Sequence, residues 1–150
     1  MLKIINDKTS IIKGGFFEDS RGMIRFVNNF NFSNVKRFYT ITHPDKRVVR
    51  AWQGHKIEHK FFFVTKGKFI ISWVEVDDWE NPSKKLKSYY KMLSADNSEV
   101  LSIPPGHANG LKAIENDSQI MVFSSLTLSD AKNDQYRFNQ YFWLDWDKFN

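Results

Sequence analysis

At 150 residues the chain is long enough for one domain, residues 1–150, with a sizeable buried core. It holds no cysteine, which excludes disulfides, thiolate metal sites and cysteine nucleophiles. The formal charge of +5 suits an anionic partner, but the lysines are spread out and the one dense run, Lys84-Lys85-Leu86-Lys87, reads as a solvated loop rather than a nucleic-acid site.

The first residues, Met1 to Asp7, carry no long apolar run, and no later stretch is long and apolar enough to span a membrane. The expectation is a cytoplasmic protein with neither membrane nor nucleic acid as partner. After the Gly14-Gly15 turn, apolar and aromatic runs at 35–41, 61–64, 69–76, 100–103 and 118–126 read as strands. Turn chemistry separates them at His43-Pro44-Asp45, Lys66-Gly67-Lys68, Asn81-Pro82-Ser83, Pro104-Pro105-Gly106 and Glu115-Asn116-Asp117. A helical period is suggested only near 129–135. Many short strands at close spacing predict an all-β sandwich or barrel.

Two strand arguments bear on function. Residues 60–64 and 68–76, joined by a tight turn at 65–67, are expected to form a long antiparallel pair. A regular strand before that turn puts His55, Ile57, His59 and Phe61 on one face, with Lys56, Glu58 and Lys60 on the other.

Several blocks resemble known families. Asp19-Ser20-Arg21-Gly22 is similar to the D-x-R-G signature of the dTDP-4-dehydrorhamnose 3,5-epimerases, and the stretch from Ile103 to Gly110 resembles their V-P-x-G-x-A-H-G turn. Arg50-Ala51-Trp52-Gln53-Gly54-His55 lies between, in the place of their R-G-x-H-x-Q segment. Val35-Lys36-Arg37-Phe38-Tyr39, Arg50 through Lys56, and Asp134-Gln135-Tyr136-Arg137 resemble the V-K-R-x-Y, R-G-x-H-x-H-K and D-Y-x-R segments of the dTDP-4-oxo-6-deoxyglucose 3,4-ketoisomerases. The resemblance implies a cupin-type antiparallel jelly-roll β-barrel, a homodimer, and no metal or other cofactor. Against both families Gln53 replaces the first catalytic histidine, while His55 matches the second histidine of the ketoisomerases. Ser124 falls where the epimerases have their tyrosine acid, and Asn109 where they have a barrel histidine.

The implied substrate is a nucleotide-linked 4-keto-6-deoxy sugar, most simply a dTDP sugar. Moving or inverting a centre beside its ketone needs a base, an acid, and a cation or donor for the enediolate. His55 is the expected base, because imidazole titrates near neutrality, and Tyr39 the expected acid. His59 is a candidate to orient His55 or share its proton. Arg50 and Arg21 are candidates to clamp the diphosphate, Arg21 competing with a local ion pair to Asp19 or Glu18. Gln53, Asn109 and Lys60 complete the substrate-binding set, although strand parity turns Lys60 away from His55. Gln53, His55, His59 and Asn109 occupy the cupin metal-ligand places, but two imidazoles and two amides lack the usual carboxylate, so no catalytic metal is expected.

Other residues have plainer readings. Trp52 and Trp73 are core tryptophans before they are stacking platforms, His107 caps the barrel rim, and Asp77-Asp78 ends a strand. The aromatic tail Tyr141-Phe142-Trp143-Leu144-Asp145-Trp146 either covers the barrel or packs on a second subunit. The resemblance implies an isomerase or epimerase of deoxysugar biosynthesis; its alternative is a barrel that binds a nucleotide sugar or glycan without catalysis.

Overall fold

The computed structural model describes residues 2–4 and 8–150. The strands are β1 (Leu2–Ile4), β2 (Ser10–Lys13), β3 (Gly15–Asp19), β4 (Gly22–Phe26), β5 (Arg37–His43), β6 (Val49–His55), β7 (Lys60–Lys66), β8 (Lys68–Glu75), β9 (Tyr89–Ser94), β10 (Glu99–Ile103), β11 (His107–Ala113), β12 (Ser118–Ser124) and β13 (Tyr136–Arg137). A short helix α1 (Leu128–Ala131) overlaps only the start of the stretch expected at 129–135, and the Thr127 side chain caps it by accepting from the Asp130 amide.

Among the described residues the strands pair antiparallel in three sheets, ordered β1-β2-β10-β7-β12-β5, β13-β6-β11-β8-β9 and β3-β4. The first two face one another as the layers of a jelly roll, without hydrogen bonds closing them into a continuous barrel. Alternation along each strand supplies the core between the layers: Phe62 and Val64 from β7, Ile120 and Val122 from β12, Phe69, Ile71 and Trp73 from β8, and Leu111 and Ala113 from β11. Trp73 is fully buried there, as a core residue.

The expected hairpin across residues 65–67 does not form. β7 pairs with β10 and β12, whereas β8 pairs with β11 and β9, so the turn carries the chain from one layer to the other. Gly67 makes this crossing at φ 72°, and a Cβ there would lie 2.1 Å from the Ser118 hydroxyl. Gly67 was therefore a correct turn signal whose sequence context cannot distinguish a hairpin from a corner between sheets.

A second apolar cluster covers the outer face of the five-stranded sheet. Trp52, Ile70, Val74 and Ala108 meet Leu144 and Trp146 of the aromatic tail. Trp52 donates its indole N–H to the Phe142 carbonyl at 2.7 Å, and its ring packs edge-on to Trp143 with centroids 5.3 Å apart. The tail thus covers its own barrel, and Trp52 belongs to that outer core.

The β3–β4 hairpin stands apart as a two-stranded sheet. At its turn Arg21 pairs with Asp19 at 2.6 Å, and that guanidinium is 83% exposed.

Candidate active site

A cavity of about 290 Å³ opens between the two layers, lined by Tyr39 of β5, Lys60 and Phe62 of β7, Arg50 and Gln53 of β6, and Asn109 of β11. Five of the predicted site residues therefore converge: Tyr39, Arg50, Gln53, Lys60 and Asn109. A local irregularity brings two of them in. The β11–β6 register pairs Asn109 with Gln53 and Leu111 with Arg50, leaving Ala51 and Trp52 opposite Gly110 alone. This bulge lets Arg50 and Gln53 face the cavity although an odd number of positions separates them. Gly110 is required opposite it, because a Cβ there would lie 2.6 Å from the Ala51 Cβ and 2.7 Å from the Trp146 ring.

On a larger scale, a change of sheet keeps His55, His59 and Lys60 from following the alternation of a single strand. His55 ends β6 in one layer and Lys60 begins β7 in the other, so residues 56–59 are a crossover, not a strand. His59 lies on the side of β7 away from the core, stacked on Phe61 with ring centroids 4.2 Å apart and its Nε2 2.7 Å from the Ser102 hydroxyl. Burial lowers its pKa, with the charge of nearby His107 adding to the effect. It neither shares a face with His55 nor reaches the cavity. Lys60 points inward instead, and its ammonium donates to the Tyr39 phenol oxygen at 2.6 Å.

His55, the expected base, is not among the residues that line the cavity and is only 4% exposed. Its Nδ1 lies 2.9 Å from the Asp134 carbonyl oxygen, which can only accept, so Nδ1 carries the proton and Nε2 the lone pair. That Nε2 is buried and meets no hydrogen-bond partner among the described residues. Burial holds the His55 pKa below the ordinary imidazole value, reinforced by the charge of Lys60 and opposed by the Asp134 carbonyl and Glu58. The resting ring is neutral, as a base must be.

The crossover that follows His55 is held by Asp134. Its carboxylate accepts from the backbone amides of Lys56 at 2.8 Å, Ile57 at 2.9 Å and Glu58 at 2.8 Å. Three charge-assisted bonds onto consecutive amides fix a loop that has no ladder of its own. The D-Q-Y-R resemblance pointed to this residue without revealing what it holds. Glu58 was also missed, because strand parity placed it on the wrong side; it is 1% exposed and lies among His55, Arg37, Lys60 and Ser124.

Arg50 has a buried partner. It donates from Nε to Nε2 of His43 at 3.1 Å. Burial, followed by the charge of Arg50, lowers the His43 pKa to about 4, which leaves the ring neutral and able to accept that bond. The guanidinium's remaining donors are left at the cavity. Arg21, by contrast, is placed on the β3–β4 hairpin in its local pair with Asp19, outside this cavity. His107 is 2% exposed and tied at Nδ1 to the carbonyls of Pro104 at 3.0 Å and Pro105 at 3.2 Å. Asp77 and Asp78 accept from backbone amides of the loop that follows them, including Ser83 and Asn81. The described residues hold no group of three or more His, Asp or Glu side chains arranged for a metal ion, and no helix among them is long and apolar enough to cross a membrane.

Solved structures share this architecture. The dTDP-4-dehydrorhamnose 3,5-epimerase of Sulfolobus tokodaii superposes with a TM-score of 0.79 at 24% identity, over 97% of this chain and 85% of that one. The epimerase of Mycobacterium tuberculosis gives 0.79 at 14% identity, over 97% and 78%. QdtA of Thermoanaerobacterium thermosaccharolyticum, a sugar 3,4-ketoisomerase in complex with TDP, gives 0.69 at 20% identity, over 91% and 93%. No curated protein sequence matches the chain. These likenesses establish a shared cupin-type fold, and the family model FdtA, described as WxcM-like, C-terminal, matches residues 7–143; the chain belongs to that family.

Proposed function

We propose that the protein isomerises or epimerises a nucleotide-linked 4-keto-6-deoxy sugar, a dTDP sugar in the first instance, by proton transfer within the jelly roll. The observation that carries this reading is the Lys60–Tyr39 pair at 2.6 Å in a cavity entered beside Arg50, on a chain of this family. The solved structures named above, a dTDP-4-dehydrorhamnose 3,5-epimerase, a second epimerase and a sugar 3,4-ketoisomerase in complex with TDP, support the same class of reaction.

The geometry supports these roles on that reading. Protons beside a ketone are acidic, and removing one leaves an enediolate. Tyr39 is the acid: Lys60 already donates to its oxygen, so the phenol's own proton is directed to another acceptor, and the ammonium offsets the negative charge left when that proton leaves. His55 is the base, with its lone pair on Nε2. Gln53 and Asn109, register partners on β6 and β11, hold sugar hydroxyls, because an amide offers both donor and acceptor but cannot take a proton from carbon. Arg50 takes the diphosphate, its fork steadied by His43. A cavity of about 290 Å³ lies at the small end for ligand sites, which suits the sugar inside and the nucleotide across the mouth.

The reading places the enzyme in the cytoplasm as a homodimer. Phe16, at 59%, and Ile24, at 61% exposed on the β3–β4 hairpin, support an association surface there. Light scattering at micromolar concentration tests the dimer, and a clean monomer would contradict it. The function is tested by following a panel of dTDP-linked 4-keto-6-deoxyhexoses by NMR in the presence of the protein. A migrated ketone or inverted centre in one member is expected; an unchanged panel contradicts the reading.

A further inference from the structure

Glu58 is the most deeply buried carboxylate beside the cavity, and the roles just assigned make no use of it. Its Oε1 lies 3.1 Å from Nδ1 of His55 and 3.5 Å from Nζ of Lys60. Its Oε2 lies 3.2 Å from Nη2 of Arg37 and accepts from the Ser124 hydroxyl. Ser124, which falls at the place of the epimerases' tyrosine acid, is fully buried and spends its hydroxyl on Glu58 and the Leu126 carbonyl. It is an anchor, not an acid.

We propose that Glu58 is a positioning residue that joins the base to the acid: one buried carboxylate shared between the His55 ring and the Lys60 ammonium that donates to Tyr39. This deepens the proton-transfer reading and rests on it. Isolated buried charges are costly, so a carboxylate at 1% exposure persists only with cations around it; at rest these are Arg37 and the Lys60 that donates to the acid, while the neutral ring of the base lies beside the same carboxylate. In the resting state Glu58 answers Lys60 and Arg37 while His55 is neutral. When His55 takes a proton from the substrate carbon, the imidazolium finds an anion 3.1 Å from Nδ1. When Tyr39 gives its proton up, Lys60 is drawn toward the phenolate and releases its share of Glu58 to His55. The two transfers sum to no net gain of protons by the protein, and the carboxylate makes each ease the other.

Among the described residues, charged and titratable groups from several elements surround the pair. Lys60 comes from β7, Arg37 from β5, Asp134 from the crossover's anchor, and His107 is the register partner of His55 across β11. Glu58 favours the charged ring, so its removal lowers the pH at which His55 titrates. Arg37 competes for Glu58, so its removal raises that pH.

The test is a titration of the His55 imidazole by NMR in the resting protein, with pH–rate profiles alongside once a substrate is in hand. Glu58→Gln is expected to shift the His55 midpoint and the acidic limb of kcat/KM down by about one pH unit. It is expected to lower kcat by roughly 10²-fold while KM moves little. Arg37→Gln is expected to shift the same midpoint upward. An unmoved midpoint in Glu58→Gln, or shifts of the same sign in both variants, overturns the proposal. If Glu58→Gln does not fold, the sign of the Arg37→Gln shift decides alone. Because the titration needs no sugar, a protein inert on every sugar contradicts the function above and leaves this measurement standing.

Discussion

The Lys60 ammonium and the Tyr39 phenol oxygen stand 2.6 Å apart, although they come from strands β7 and β5 that are separated in their sheet by β12. The lysine reaches across its neighbour's inner face, and its charge lies 5.1 Å from the centroid of the same tyrosine ring. A cation that close to a phenol on a cavity wall is more than packing requires.

Removing the phenol hydroxyl separates chemistry from fold. Tyr39→Phe keeps the ring among its core neighbours and deletes only the hydroxyl, so the folded protein is expected to survive with kcat reduced by about 10²–10⁴-fold. Lys60→Met keeps the stem and loses the charge, and the same order of loss is expected. Turnover followed by NMR, with circular dichroism as the fold control, checks both; activity of Tyr39→Phe within a few fold of the parent would remove Tyr39 from the acid role.

Acid weakens the folded state in a defined window. His43, His55, His59 and His107 all titrate below the ordinary imidazole value because burial disfavours their charged forms, His43 at about 4. Their folded-state pKa values are depressed, so the unfolded chain binds more protons below about pH 6.5. Stability is therefore full at pH 7 and above and falls as pH drops through 6 toward about 4, by about 1.4 kcal/mol per pH unit for each proton the unfolded state gains. Denaturant unfolding at pH 7, 6 and 5 measures the slope. A flat profile over that range contradicts the buried, neutral histidines.

The bulge opposite Gly110 predicts a sharp local intolerance. Gly110→Ala sets a Cβ within 2.6 Å of Ala51 and 2.7 Å of Trp146, so it must displace either β6 or the tail. A loss of about 1–3 kcal/mol is expected, as for overpacking elsewhere. Trp146→Ala, which empties the same contact from the other side, is expected to cost about 3–5 kcal/mol. Thermal melts test both; an unchanged melting temperature for Trp146→Ala would show that the tail does not hold the sheet.

How much of this was legible before the structure depends on whether a feature is local. The strands expected at 100–103, 118–126 and 69–76 coincide closely with β10, β12 and β8, because apolar runs bounded by turn residues carry their own signal. Tyr39, Arg50, Gln53 and Asn109 were found through motif blocks, and all four line the cavity. Parity failed where the chain changes sheets: nothing in the residues from Lys56 to His59 marks a crossover, and that alone sent His59 inward and Lys60 and Glu58 outward. The strand of β11 was also hidden, since Gly110, Asn109 and Lys112 look like loop residues until the tail that covers Ala108 and binds the Lys112 ammonium is in place. The role of Asp134 depends on contacts nearly eighty positions away along the chain, beyond any reading by local pattern.

In the proposed function, Arg50 acts on binding rather than on proton transfer. Arg50→Met is expected to weaken dTDP binding by about tenfold or more, with little change in the fold, because a guanidinium fork on a diphosphate contributes charge-assisted bonds that an alkyl chain cannot replace. Arg21→Met, which loses only an exposed pair with Asp19, is expected to leave that affinity unchanged within the protomer's own site. Calorimetry with dTDP compares the two. Equal losses would move the diphosphate toward the hairpin.

The central claim, that this barrel moves protons beside a sugar ketone, is tested most directly by deuterium uptake from heavy water into dTDP-linked 4-keto-6-deoxyhexoses, read by NMR. The parent protein is expected to place deuterium on a carbon next to the ketone, and His55→Asn to abolish that exchange while dTDP still binds. Binding by the parent protein with no exchange into any sugar would contradict the account and leave the barrel as a sugar-nucleotide binding module.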